Sequence, residues 1–215
     1  THTYEVVEVP DAEQADEFLP PYETDNKISF DDPKNLGFSA GPDTNTEFKY
    51  KEHLGILNAR KVIKECEDKF FKIFNRKYSG LIESYKTEDA DFVIVTLGTI
   101  SGLVKEVVDD LRDKGQKVGL LRIRYLRPFP NEEIVDALKN VKAIGVLEKD
   151  ISFGNEGTVY TNVNSALHKA KLDVVSSNYI AGLGGRNIEK HQIEDIFTRL
   201  QSLNHEIVFV GLKEE

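Results

Sequence analysis

The chain has no methionine and no tryptophan, and its only cysteine among 215 residues is Cys66. One thiol cannot close an internal disulfide, nor can it supply the ligands of an iron–sulfur cluster or a thiolate zinc site. Histidine is scarce as well: His2, His53, His168, His191 and His205 include no pair spaced to share one helical face, so no metal site is expected. No apolar run approaches the roughly 20 residues that span a bilayer. The opening Thr-His-Thr-Tyr-Glu lacks the basic start and apolar core of a secretory signal. Positive charge is not in excess either. A net charge of −9 argues against nucleic acid or an anionic membrane as the main partner, and a cytoplasmic location is expected. Because methionine is missing even at position 1, the chain is expected to be processed, split or excised from something larger.

What is present is an ordinary globular mixture, 40% hydrophobic and 30% charged. Residues 1–45 are rich in Pro, Asp, Asn and Gly and are too broken to bury a core. Asp11–Phe18 reads as a short helix capped by Asp11 and stopped by Pro20 and Pro21. The remainder reads as an extended arm that lies across another domain or subunit, since acids alternate there with aromatic and β-branched residues. From 46 to 85 an apolar stripe recurs at three- and four-residue steps, from Ile56 through Phe70 to Tyr85. It predicts one long packing helix, which Ser79 and Gly80 can interrupt. Cys66 falls on that stripe and is expected in a core.

From 86 to 215 strand and helix alternate. Asp91–Leu97, Val118–Ile123, Ala143–Leu147, Val174–Ile180 and Glu206–Val210 read as strands. Helices are expected from Leu103 to Lys114, from Asn131 as a cap, over Gly157–Lys169 and over Glu189–Leu203. Short links between alternating elements predict an α/β domain, a mostly parallel sheet with helices on both faces.

The candidate sites sit where strands end. Gly98–Gly102 joins a strand to a helix, a place where backbone N–H groups can hold an anion. It lacks the lysine of a phosphate loop and the third glycine of a dinucleotide fingerprint. Gly182-Leu-Gly-Gly-Arg186 has G-x-G spacing but follows a late strand, so close backbone approach is the expected use of Gly182, Gly184 and Gly185, with Arg186 reaching for a carboxylate across a junction. Arg122, Arg124 and Arg127 are expected on one side of their strand if it persists that far. They answer either local acids or a phosphate or partner subunit. Glu148 ends a strand, a reasonable place for a functional acid, yet no neighbour in sequence partners it. No catalytic constellation emerges.

A series of motifs in order gives the chain a resemblance. Tyr85–Asp91 leads into Val-Ile-Val-Thr-Leu-Gly98; then come Val-Val-Asp-Asp-Leu-Arg112, Lys117-Val-Gly-Leu-Leu-Arg122, Leu126-Arg-Pro-Phe-Pro130, Val146-Leu-Glu-Lys, Ser152-Phe-Gly and Gly182-Leu-Gly-Gly-Arg186. The series resembles the second domain of the pyruvate:ferredoxin oxidoreductase family, in the alpha subunit of the split enzymes. Glu17–Tyr22 and Phe48–Tyr50, followed by the long helix, resemble the segment that joins that family's first and second domains.

The resemblance implies a transketolase C-terminal-like domain in an enzyme that oxidatively decarboxylates a 2-oxoacid, pyruvate first, oxalate or another oxoacid otherwise. It implies thiamine diphosphate, magnesium, [4Fe-4S] clusters and coenzyme A in the complex, and ferredoxin as electron acceptor. The sequence lacks the Gly-Asp-Gly…Asn metal motif, cluster cysteines and a pyrimidine-binding domain. This chain is therefore expected to be inactive alone and to act as a structural and interface domain among other subunits, binding no cofactor by itself. Arg127, Arg186, Gly98, Ser101, Gly182, Gly184 and Gly185 are the interface or site-rim candidates. An autonomous small-ligand module and a non-catalytic scaffold are the rival readings.

Overall fold

The computed structural model describes residues 7–37 and 39–213; His2 and the first part of the Tyr4–Val9 island lie outside them. Two compact units divide the chain, Thr1–Tyr78 and Ser79–Glu215.

The first unit is a short helix set on a long one. α1, Ala12–Phe18, follows Asp11, whose backbone N–H donates to Gln14 Oε1 at 3.3 Å. This reciprocal arrangement of cap and third residue satisfies a donor that a helix end leaves orphaned. α2 runs from Asn45 to Phe74. Phe18 meets Phe70 and Phe74 edge-on, with ring centroids 5.4 and 5.8 Å apart. Gln14 Nε2 donates to Ile73 O at 3.3 Å and Lys69 Nζ to Phe18 O at 2.8 Å.

The long helix is shorter than its apolar stripe suggested. Asn75 takes a left-handed conformation with φ 52° and closes it, its N–H donating to Phe71 O. Gly80, at φ 77°, then turns the chain into a strand, and Ile82–Tyr85 is β1. Leu81, Ile82 and Tyr85 fit a three-to-four-residue step, but Ile82 and Ser84 also fit the two-residue step of a strand, and strand pairing decides. No residue of α2 is buried. Cys66 is exposed rather than in a core.

The second unit is built on six strands: β1, β2 (Phe92–Leu97), β3 (Val118–Ile123), β4 (Ala143–Glu148), β5 (Val175–Ile180) and β6 (Ile207–Phe209). Their spatial order is β1-β3-β2-β4-β5-β6. β1 runs antiparallel to β3, with Ile82 opposite Ile123, and all other pairs are parallel. The expected α/β class is therefore present, with one antiparallel edge strand. The apolar runs are strands buried on both faces. In β2, Val93 and Val95 point to one helix layer and Ile94 to the other.

α4 (Asn131–Leu138) and α5 (Thr158–Lys169) cover one face through Ile134, Leu138, Val159, Val163 and Leu167. α3 (Ile100–Asp113) and α6 (Lys190–Leu200) cover the other through Val104, Val107, Val108, Ile193, Ile196 and Phe197. Three boundaries move. α3 begins at Ile100, so Ser101 and Gly102 are helical rather than loop. Asn131 is the first helical residue and Pro130 stands at the cap, as suits a proline whose missing N–H costs nothing there. The closing strand keeps only Ile207–Phe209.

Candidate functional site

From β2 the chain crosses through α3 to β3 on one side, then through α4 to β4 on the other. The direction of winding reverses between β2 and β4, and the crevice beyond their carboxyl ends is where open α/β sheets place ligands. A cavity of about 400 Å³ lies there. Its wall is largely aliphatic: Leu97, Ile100, Leu126, Leu147, Val159 and Ile188. Thr96 is fully buried at its base and donates from Oγ1 to Leu147 O at 2.6 Å, tying the two strand ends together.

Glu148 lines this cavity at the end of β4 and is 4% exposed. Its Oε2 accepts the Val159 N–H at 2.7 Å; its Oε1 accepts the Tyr160 N–H at 3.0 Å and Asn178 Nδ2 at 2.9 Å. Val159 and Tyr160 open α5, whose N-cap is Gly157. A glycine has no side chain to cap a helix, so the carboxylate of a neighbouring strand takes that role and meets the positive end of the helix dipole. Asn178 completes the arrangement, with its Oδ1 accepting the Gly157 N–H at 2.8 Å. Burial pushes the Glu148 carboxyl above its ordinary pKa, and the hydrogen bonds from Val159, Tyr160 and Asn178 offset only part of that.

Lys149 and Asp150 are exposed on the wall of the cavity, where Asp150 Oδ2 accepts from Thr158 Oγ1 at 2.5 Å. The site offers apolar surface, one ammonium and backbone donors, while its buried acid is held in structural bonds. Binding, rather than bond-breaking, is the chemistry this arrangement supports. Among the described residues no three of His, Cys, Asp and Glu gather closely enough to hold a metal ion.

The candidates from the sequence fall into three places. Gly98, at φ 75°, lines the cavity, and Ser101 is buried behind it with Oγ donating to Gly98 O at 2.6 Å. Gly182, Gly184 and Gly185 all have positive φ around the tight turn Leu183–Gly185. Only Gly182 is closely approached, since a Cβ there would meet Lys149 Cε at 2.9 Å; nothing lies within 4 Å of the other two. Arg186 donates from Nη1 to Gly211 O at 2.6 Å, not to a carboxylate. Arg127 stands apart, donating to Leu126 O at 2.7 Å and Asn162 Oδ1 at 3.4 Å. The strand that would align it with Arg122 and Arg124 does not persist that far, since β3 ends at Ile123, and the steps from those two arginines to position 127 are odd rather than even. Arg122 finds a local acid, Glu83, at 3.3 Å.

Sequence reasoning missed Gly157 and Asn178 as partners of Glu148. The signal was the polar run Ser176-Ser177-Asn178 inside β5.

Residues 90–193 match the model of the pyruvate:ferredoxin oxidoreductase core domain II. Over all of its length the chain is 38% identical to pyruvate synthase subunit PorA of Methanothermobacter thermautotrophicus, covering 55% of that protein. Over 99% of its length it is 40% identical to ketoisovalerate oxidoreductase subunit VorA of Pyrococcus furiosus, covering 56% of it. The chain thus spans about half the length of the curated relatives it matches. Among solved structures, a split-gene transketolase overlaps 60% of this chain and 43% of its own at 19% identity and a TM-score of 0.45.

Proposed function

The chain belongs to the pyruvate:ferredoxin oxidoreductase family as a region of the alpha subunit, and from that premise we propose that it works in the cytoplasm inside an assembled 2-oxoacid:ferredoxin oxidoreductase. The reaction is the oxidative decarboxylation of a 2-oxoacid, with electrons passed to ferredoxin and the acyl group to coenzyme A. Similarity at the same level to subunits named for pyruvate and for ketoisovalerate supports the class of substrate. Pyruvate is the first candidate, and oxalate or another oxoacid is the alternative.

The cofactors that such a reaction uses do not fit the residues here. Cys66 is alone and exposed, so it cannot ligate an iron–sulfur cluster. No described acid cluster suits the magnesium of thiamine diphosphate. No step is routed through these groups on this chain. Its role is to supply a rigid sheet and strand-end surfaces against which other regions of the enzyme are held. The observation that carries this reading is similarity along the whole of this chain to about half of the PorA subunit, in a unit where the one buried carboxylate among the described residues is spent on capping α5.

The test is reconstitution. The chain as part of the assembled complex is expected to support oxoacid-dependent reduction of ferredoxin, and the purified chain none. Turnover by the chain unaided overturns the proposal. The cavity of about 400 Å³ at the reversal of winding favours one second reading, a small-ligand module. Calorimetry of the chain with coenzyme A, nucleotides and thiamine diphosphate separates the two, because the scaffold reading expects negligible heat.

A further inference from the structure

The two edges of the sheet differ. At one edge β1 carries Glu83, which is tied to Lys105 and Arg122, and charged side chains of this kind discourage a strand from recruiting another. At the other edge β6 has no such guard, because from Ile207 to Leu212 there is no charged residue and no proline. Its side chains alternate between the faces of the sheet. Val208 and Val210 pack against the core beneath α3 and α6, whereas Ile207 and Phe209 point to the opposite face and remain 47% and 42% exposed. The core on that face, which α4 and α5 cover, includes no residue of β6.

The backbone of β6 is unanswered in the same place. The Asn178 N–H donates to Glu206 O, and the Val210 N–H to Ile180 O, both at 2.8 Å. Parallel pairing sets Ile207 opposite Asn178 and Phe209 opposite Ile180. That phase turns the main-chain groups of Glu206, Val208 and Val210 towards β5, and those of Ile207 and Phe209 away from it. Among the described residues no protein group answers the N–H or C=O of Ile207 or the N–H of Phe209, and the Phe209 C=O accepts the Leu212 N–H at a long 3.3 Å.

We infer that two copies of this chain pair through their β6 edges, antiparallel and centred on Val208, so that two six-stranded sheets run on into one. The phase of the strand selects this register. Its outward residues lie two apart, so setting Val208 opposite its counterpart brings Ile207 of each copy against Phe209 of the other. Each such pair exchanges both of its N–H···O bonds, which uses every outward group of the strand. Centring on Ile207 or on Phe209 would match one outward residue with itself and leave the other facing chain that is no longer strand. The exposed Ile207 and Phe209 side chains then meet on one face as cross-strand pairs of an aromatic with a β-branched residue. No like charges are opposed, since Glu206 meets Val210. A second copy fits this edge because one sequence supplies both halves of the hydrogen-bond pattern and both halves of the apolar pair. The strand offers three residues a side, far fewer than the roughly 20–30 of a standard interface. Pairing is therefore expected to be weak, with a dissociation constant on the order of 100 μM. The inference concerns how copies meet and does not depend on the oxoacid reaction.

Sedimentation equilibrium of the chain over concentrations that bracket this value tests it, and a passage from monomer to dimer is expected. Ile207→Lys and Phe209→Glu, both at exposed positions, are each expected to weaken self-association about tenfold, because each alters both symmetry-related pairs. A mixture of the two is expected to recover association as an unlike dimer, since the introduced charges then face each other across one pair. Amide exchange at Ile207 and Phe209 is expected to slow as the dimer forms. In a Cys66→Ser background, which removes the exposed thiol, Val208→Cys is expected to give a disulfide-linked dimer under mild oxidation. Opposed residues at a non-hydrogen-bonded pair lie about 4.5 Å apart at Cα, within disulfide reach. Lys114→Cys, at the end of α3, is expected to give none. A chain that stays monomeric throughout the range overturns the inference, as an edge reserved for a different chain would require. So does a dimer in which the Ile207 and Phe209 amides exchange as fast as in the monomer, or one that both charge variants form as readily as the parent.

Discussion

Oε1 of Glu148 stands 2.1 Å from the point where a Cβ on Gly157 would sit. These two residues coexist only because position 157 carries no side chain. The strand-end carboxylate can then enter the first turn of α5 and accept from Val159 and Tyr160. The cap of one helix is thereby supplied by a strand nine residues earlier in the chain.

Gly157→Ala is expected to destabilise the chain by about 1–3 kcal/mol, the usual cost of inserting a methyl group into a filled site. Glu148→Gln keeps the shape but turns one acceptor into a donor that faces backbone N–H groups, at a cost of about 1–3 kcal/mol. Urea denaturation measures both. A midpoint unchanged in either variant would contradict the capping role.

The same carboxylate sets a pH dependence. Its pKa is raised in the folded chain, chiefly by burial, so the folded state holds this proton more tightly than the unfolded state does. Stability from this group is present below the ordinary carboxylate pKa and is lost as pH rises through the raised folded value. Relative to Glu148→Gln, the parent chain is expected to lose stability across that window. Urea midpoints of the two proteins, compared at several pH values, give the slope, and the opposite sign would refute the assignment.

Glu83 behaves in the opposite sense. Burial pushes its carboxyl up, but hydrogen bonds and charge from Lys105 and Arg122 outweigh that, and its pKa lies below the ordinary value. Its stabilising contribution is present above the ordinary pKa and fades as pH falls through the lowered one. Glu83→Gln is expected to flatten the acid limb of the stability curve, by a small amount because the pair is partly exposed.

Two leucines separate the units. Leu120 in β3 is fully buried, and Leu120→Ala is expected to cost about 2–5 kcal/mol. Leu57 in α2 is 51% exposed, and Leu57→Ala is expected to move the stability of the free chain by no more than about 0.5 kcal/mol. Thermal melts of both variants check the contrast.

Arg186 spends a hydrogen bond on Gly211 O at the surface. Arg186→Ala is expected to lower the yield of assembled oxidoreductase more than it lowers the melting temperature of the chain. Equal losses in both measurements would count against an interface role.

Much of the second unit was legible locally. Phe92–Leu97 and Ala143–Glu148 announced themselves as short apolar β-rich runs, and turn glycines marked the ends of helices. Ile82–Tyr85 misled because four residues cannot separate a helical step from a strand step. Cys66 misled because a stripe shows which face of a helix is apolar, not whether anything covers it. Glu148 was noticed but had no partner in sequence. Asn178 and Gly157 reach it only through the pairing of β4 with β5, which sets Val146 opposite Asn178.

By itself, the sequence determined the alternation of strands and helices and the ordered series of motifs that carries the resemblance to a family, because periodicity and turn residues are properties of neighbours along the chain. Tertiary structure decided that β1 joins the sheet edge, that the winding reverses between β2 and β4 to open a cavity, and that a carboxylate from one element caps another. Those outcomes depend on which strands lie side by side. That order arises from contacts between distant residues, and no local window of the sequence contains it.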